Sequence, residues 1–403
     1  MMSEQFGDAL PPVVRFAQEL VRLRTVVDPG TGGTEAPAAA LIATLMRSFG
    51  WQVDVVEVAP DRPNVIAVVE GGGGPGPTLM FEGHTDVVTE GDLSTWTVDP
   101  YSGEIRDGKL WGRGSADMKS GVAAMIYAVR ELQLAGPFPG RVIVGALADE
   151  EGLMLGAKHF AGTALAASVD AAIICEPEAG EVCLVAKGAL RLIVELHGAM
   201  AHGAMPHQGR NPILALGPLL AAIAEFEKEL AARAGEHEHL GHVYLTPTAI
   251  NAGSREQGNV IPAEAYLYLD VRSVPGVDHD MVIARIGELA AAAGAPYRVS
   301  ADVVVVDNRP AVEITRDHPI AVAVIDAHEA VTGEPARLGG VPGTTDGTIL
   351  FRDAAIPSVV YGPGGKWIAH QSDEFVPIAD ITTSMQVYLE AARRFLDAGT
   401  PPI

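Results

Sequence analysis

Apolar positions three or four apart mark the first element: in PPVVRFAQELVRLRTV, Val13, Phe16, Leu20 and Leu23 share one helical face, and the prolines stand where a helix start tolerates them. A second helix is predicted over Glu35 to Phe49, closed by Gly50. The period then shortens. PNVIAVVE and TLMFEG are apolar runs separated by a glycine-proline turn, which predicts two strands with His84 just beyond the second. GVAAMIYAVRELQLAG returns to a helical pattern, and RVIVGALADEEG and AAIICEPEAG are further buried strands that both end in acidic residues.

The character changes near Gly188. ALRLIVELHG, the long helical stretch NPILALGPLLAAIAEFEKELAARAG, the strands around HVYLTPTAINAG and AEAYLYLDVRSVPG, and a helix from His279 to Ala293 predict a small α+β layer. Beyond DNRP the first pattern resumes, with a helix over Pro319 to Val331, the glycine-rich GGVPGTTDG, a strand at IPSVVYGPG and a terminal helix. The predicted fold is α/β: a discontinuous domain with a central mixed sheet over 1–187 and 306–403, and an α+β insert over 188–305.

Composition narrows what such a fold can do. A chain of 403 residues is long for one core, and 48% hydrophobic residues provide ample interior. Asp and Glu number 51 against 28 Lys and Arg, a formal charge of -23 that repels nucleic acid and anionic membrane, and no basic patch overrides it. No charge-poor apolar run reaches the roughly 18 to 20 residues that a membrane span needs. Cys175 and Cys183 are too few for a disulfide framework or a four-cysteine zinc site, and both are expected to be reduced and buried. MMSEQFGDALPPVV lacks a basic segment followed by an apolar one, so a cytoplasmic location is expected.

Candidate chemistry gathers at strand ends, where sites of open α/β sheets collect. Apolar strands deliver His84, then Glu150 and Glu151, then Glu176, while WGRGSADMKSG leads Asp117 into a helix start. His370 in KWIAHQSDEF supplies a second imidazole. Each alone has a plain explanation: a strand cap for His84, a helix cap for Asp117, solvated acids for Glu151 and Glu176. Together, acids at one sheet edge repel one another unless cations neutralise them, and carboxylates with neutral imidazoles suit zinc, cobalt or manganese. The spacing leaves Asp149, Glu150 and Glu151 equally eligible as a general base.

GHTDVV, WGRGSADMKSG, ADEEG, the Glu176-Pro177 pair and AHQSDEF, in this order over almost the whole chain, resemble the dinuclear zinc amidohydrolases and peptidases of the M20 family, which include acetylornithine deacetylase and succinyl-diaminopimelate desuccinylase. The resemblance implies that His84 and Glu176 hold one metal ion, Glu151 and His370 a second, and that Asp117 bridges them, often beside a cis peptide bond. It implies Asp86 as the residue orienting His84 and Glu150 as the general base. The insert resembles the family's dimerisation domain, with His202 in GAMAHGAMPHQGRNPI reaching the partner subunit's site in a homodimer. Asn259, Arg272, Gly343 and Thr344, the last two in GTTDG with Asp346, match substrate-carboxylate positions. Arg272 could instead pair locally with Asp270 or Asp280.

The implied reaction is hydrolysis of a small N-acyl amino acid by metal-activated water, with two divalent ions per subunit and no organic cofactor. A dipeptidase or carboxypeptidase, or a hydrolase of N-carbamoyl amino acids, is the alternative within the family. A catalytically silent binding protein is the rival outside it, and the presence of all five ligand candidates and Glu150 weighs against that. Cys175, Glu178 and Pro212 depart from common family wording, and Glu178 raises a question of local charge.

Overall fold

Three parallel strands end at one sheet edge because their registers are aligned. A computed structural model describes residues 10–26 and 34–398, and the first nine residues of MMSEQFGDALPPVV lie outside them. Within the larger of two units, made of residues up to Leu184, Ile314–Gly340 and Thr345 onward, the sheet runs Gln52–Ala59, Arg62–Glu70, Arg141–Leu147, Thr78–His84, Ala171–Ile174, Ser358–Val360 and Glu181–Ala186. Thr78–His84 pairs in parallel with Arg141–Leu147 and Ala171–Ile174, setting His84 opposite Leu147 and Glu82 opposite Ile174. The chain therefore leaves that edge as Ala148–Glu151 after one strand and as Cys175–Glu176 after another.

Side chains alternate across a strand. Leu79, Phe81, Val142, Val144, Ala171 and Ile173 enter a core with helices Pro12–Val21, Ala36–Ser48, Ser120–Ala135, Pro319–Thr332 and Ile378–Ala398. Every residue of Thr78–His84 is buried, as expected for a strand covered on both faces. On the other face, Ile174 meets helix Asp346–Ala354 at Gly347. Glycine is needed where the helix after Asp117 approaches the strand ends: a β-carbon at Gly83 would stand 2.6 Å from the Met118 methyl, and one at Gly121 would stand 2.1 Å from the Cys175 carbonyl oxygen.

Three short strands, Phe375–Pro377, Lys109–Trp111 and Glu104–Arg106, form a second sheet in which Phe375 is opposite Trp111. These strands have three residues each, too short for a period to show in sequence. Their pairing brings the late histidine segment beside the glycine-rich loop.

The smaller unit, Val185–Glu313 with Val341–Thr344, is an antiparallel sheet ordered Tyr244–Ala252, Glu264–Ser273, Gly188–His197 and Ser300–Arg309. Leu190, Leu192, Val194 and Leu196 alternate inward with Ala265, Leu267, Leu269 and Val271, and helices Ile213–Ala234 and His279–Gly294 complete its own core. The unit runs past Val305 because Ser300–Arg309 is a full strand paired along Gly188–His197. The fold is thus α/β with a central mixed sheet and an inserted α+β unit. Among the described residues, no helix is long and apolar enough to cross a membrane.

Candidate metal centre

The strand ends bring five candidate ligands of the larger unit together. His84 Nε2 lies 3.1 Å from Asp117 Oδ1 and 3.5 Å from Glu176 Oε1. His370 Nε2 lies 2.9 Å from Glu151 Oε1 and 3.3 Å from Asp117 Oδ2. Each triad, His84–Asp117–Glu176 and Asp117–Glu151–His370, offers ligand atoms within 4.8 Å of one another. Asp117 belongs to both and turns one oxygen toward each histidine, the arrangement of a bridging carboxylate. It precedes rather than begins the helix, which starts at Ser120, and the Asp117–Met118 peptide is cis.

Two imidazoles and three carboxylates are a donor set that fits divalent ions of borderline hardness. The charges point the same way. Burial, then the Asp117 charge, pushes the Glu176 carboxyl up to about 8 and also raises Glu151. Hydrogen bonds to Asp117 and Glu151 push the His370 imidazole up to about 10. Burial opposes ionisation of both His84 and Asp117, but the Glu176 charge and its hydrogen bonds raise the imidazole, and hydrogen bonds from His370 and His84 hold the Asp117 carboxyl well below its usual range. Packed acids that hold protons against one another are relieved by bound cations.

Those shifts fix a pH dependence. The Glu176 carboxyl, raised in the fold, contributes stability that is complete below its ordinary value near 4.5 and is lost as pH climbs through about 8. Glu35, pushed up to about 9 by burial and Asp86, acts in the same sense. Lys119, pulled down to about 7 by burial, opposes them only above that pH. Chelator-treated protein is therefore expected to melt at a lower temperature at pH about 7 than at pH about 5, with added metal stabilising it more at the higher pH because protons compete for the ligands. Calorimetry checks this, and a metal-free melting temperature that rises over the interval contradicts it.

Asp86 does more than the sequence implies. His84 Nδ1 lies 3.0 Å from the Asp86 backbone oxygen and 3.5 Å from its carboxylate. That carboxylate accepts the backbone N–H groups of Glu150, at 3.1 Å, and Glu151, at 2.9 Å, so one residue holds both the histidine and the acidic turn. The turn passes through Asp149 at φ 68° and is braced by Arg62, which pairs with Asp149 and lies 3.6 Å from Glu35. Glu150 stands outside both triads and is buried. Burial raises its carboxyl well above the ordinary range, with His84 opposing and Glu176 and Glu151 reinforcing.

The remaining sequence-derived candidates lie in the smaller unit, which also takes in Gly343 and Thr344 through Val341–Thr344, although the sequence put them in the 306–403 part of the larger domain. His202 is exposed on Ala201–His202, which pairs with Val260–Ile261, so Asn259 adjoins it, and the Asn259 carbonyl accepts the Gly203 N–H at 2.7 Å. His202 Nδ1 accepts the Ala204 N–H at 3.1 Å, which leaves Nε2 to carry the proton of a neutral ring. Arg272 pairs locally with Asp270, with Nε donating at 2.6 Å. Thr344 Oγ1 accepts from Arg309 at 3.3 Å, and a β-carbon at Gly343 would meet nothing within 4 Å.

Of the neighbouring charged groups, Glu82 carried no assignment in the sequence. Glu82 and Asp346 are buried together, and burial followed by the Asp346 charge raises the Glu82 carboxyl. Alternation along the strand could have placed Glu82 on the His84 face. Glu178, the unusual residue after Glu176, accepts from Lys366 Nζ at 2.7 Å and from Cys183 Sγ at 3.2 Å, so its charge is paired. Both cysteines are free and buried.

Residues 80–394 match the model of peptidase family M20/M25/M40. The chain belongs to this family. It is 32% identical over 403 residues to a succinyl-diaminopimelate desuccinylase of Methylibium petroleiphilum, covering 96% of this chain and 99% of the relative. Its fold is similar to that of an M20 family metallo-carboxypeptidase from Sulfolobus solfataricus, with TM-score 0.78 and 18% identity over 96% of this chain and 99% of that one. It is also similar to a Bacillus subtilis protein described as a dinuclear metal binding peptidase, with TM-score 0.70 and 17% identity over 96% and 98%. Family membership and the paired triads make the M20 chain a metal-dependent amide hydrolase.

Proposed function

We propose that this hydrolase removes the acyl group from an N-acyl amino acid, using two divalent ions per subunit, zinc foremost with cobalt or manganese as substitutes. The observation that carries the two-ion reading is Asp117, shared by both triads with one oxygen turned toward each histidine. His84 and Glu176 would hold one ion, Glu151 and His370 the other. Bound ions supply Lewis acidity and positive charge, which make water nucleophilic and favour negative charge on the acyl oxygen.

Glu150 takes a proton from the attacking water and returns it to the leaving nitrogen as the C–N bond breaks. Burial raises the proton affinity of this carboxyl, which helps it hold the proton between the two transfers. In a homodimer, His202 of one subunit donates from Nε2 to the acyl oxygen in the other subunit's site. Asn259, Arg272, Gly343 and Thr344 receive the amino-acid carboxylate, and Arg272 must exchange Asp270 for it, since a guanidinium fork matches either carboxylate. The likeness to a desuccinylase favours an acyl amino acid as substrate, and two reduced, buried cysteines favour work in the cytoplasm.

The test is a substrate panel on protein loaded separately with zinc, cobalt or manganese. N-succinyl and N-acetyl amino acids are expected to show higher kcat/KM than dipeptides or N-carbamoyl amino acids. Faster turnover of dipeptides makes the enzyme a peptidase, and absence of turnover on every acyl amino acid overturns the deacylase reading.

A further inference from the structure

Two ligand-bearing loops exchange buried charged side chains. Glu374, four residues after His370, is 0% exposed and points into the loop that carries Asp117. Its Oε1 accepts the backbone N–H of Ala116 at 2.9 Å and of Asp117 itself at 3.0 Å. Its Oε2 accepts the N–H of Gly114 at 3.0 Å and Arg113 Nη1 at 2.5 Å. Arg113, 1% exposed, sends Nη2 in the opposite direction, to within 3.4 Å of the His370 carbonyl oxygen. Burying a carboxylate and a guanidinium is unfavourable unless they are bonded, and although Arg113 Nε has no partner among the described residues, the remaining bonds tie the Gly114–Asp117 backbone on one side to the His370 carbonyl on the other.

The two triads depend on this brace unequally. The His84 side chain is 1% exposed and sits in a strand covered on both faces, so packing fixes it. The His370 side chain is 53% exposed, on a loop residue with φ 66°, a left-handed backbone that is uncommon outside glycine, so fewer contacts of its own hold it in place. We propose that Glu374 and Arg113 are a positioning pair that sets the separation of Asp117 from His370, and thereby the affinity of the Asp117–Glu151–His370 ion, without touching metal or substrate. The pair rests on the two-metal reading. It crosses between chain segments about 260 residues apart, so it also makes completion of the second triad depend on docking of the late segment.

The test is titration of chelator-treated protein with cobalt, read by calorimetry and by the visible absorption of the bound ion. Wild type is expected to take up two equivalents. Arg113→Lys keeps the positive charge but loses the second prong, and should bind the first equivalent as wild type does while the second weakens by about 10- to 100-fold, the range for outer partners of metal ligands. Glu374→Gln turns an amide N–H toward backbone donors and should act in the same direction more strongly. Melting of the metal-free variants shows whether they fold, and if Glu374→Gln does not, Arg113→Lys decides. Two unchanged affinities in folded Arg113→Lys, or equal weakening of both, overturn the proposal. A wild type that takes up fewer than two equivalents overturns the two-metal reading, and the positioning role falls with it.

Discussion

Glu150→Ala is expected to lower kcat by at least about 100-fold while both metal ions stay bound. The side chain belongs to neither ligand triad, and its backbone N–H is held by Asp86, so truncation removes the proposed proton carrier without dismantling the turn. Losing a buried carboxyl whose proton affinity is raised by burial, with Glu176 and Glu151 adding to it, also relieves repulsion among the neighbouring acids. Metal retention should therefore be undiminished. Steady-state kinetics on protein of measured metal content checks this, and normal turnover by the fully metallated variant excludes Glu150 as the base.

On the proposed role of His202 as an oxyanion donor, His202→Ala should be nearly as damaging, because loss of one such donor costs about 2.7 to 4 kcal/mol of transition-state stabilisation. The residue lies in the inserted unit, apart in sequence from every candidate metal ligand, and its free Nε2 suits donation to an atom outside its own loop. If it acts across a homodimer, mixing inactive His202→Ala with inactive Glu150→Ala under subunit exchange restores activity. Each mixed dimer then has one site with both residues intact and one with both lost, so random exchange gives about one quarter of wild-type activity. Heterodimers that form without any recovery leave His202 with a local role.

The fold was legible wherever apolar runs were long. Thr78–His84, Arg141–Leu147 and Ala171–Ile174 are buried strands whose ends drop His84, Glu150–Glu151 and Glu176 at one edge, and this convergence follows from their parallel pairing in aligned register. Three-residue strands such as Lys109–Trp111 left no periodic trace, although their pairing with Phe375–Pro377 is what carries His370 toward Asp117. Single-residue chemistry was legible by type and less so by partner. His84 and Asp86 are two apart on an extended segment, yet the Asp86 carboxylate also binds the backbone of a turn 64 residues later, which no local pattern encodes. Arg113 and Glu374 stood inside recognisable motifs without a role, because their partners lie across the fold. A charged residue inside a glycine-rich loop was the available signal.

Metal stoichiometry tests the central claim most directly. Purified protein, stripped with chelator and dialysed against zinc, is expected to retain two ions per chain by mass spectrometric metal analysis. His370→Ala is expected to retain one, held by His84, Asp117 and Glu176, because its loss removes a ligand from the second triad alone. A wild type that saturates at one ion or none, or a His370→Ala variant that still holds two with wild-type affinity, contradicts a dinuclear centre built on these five residues.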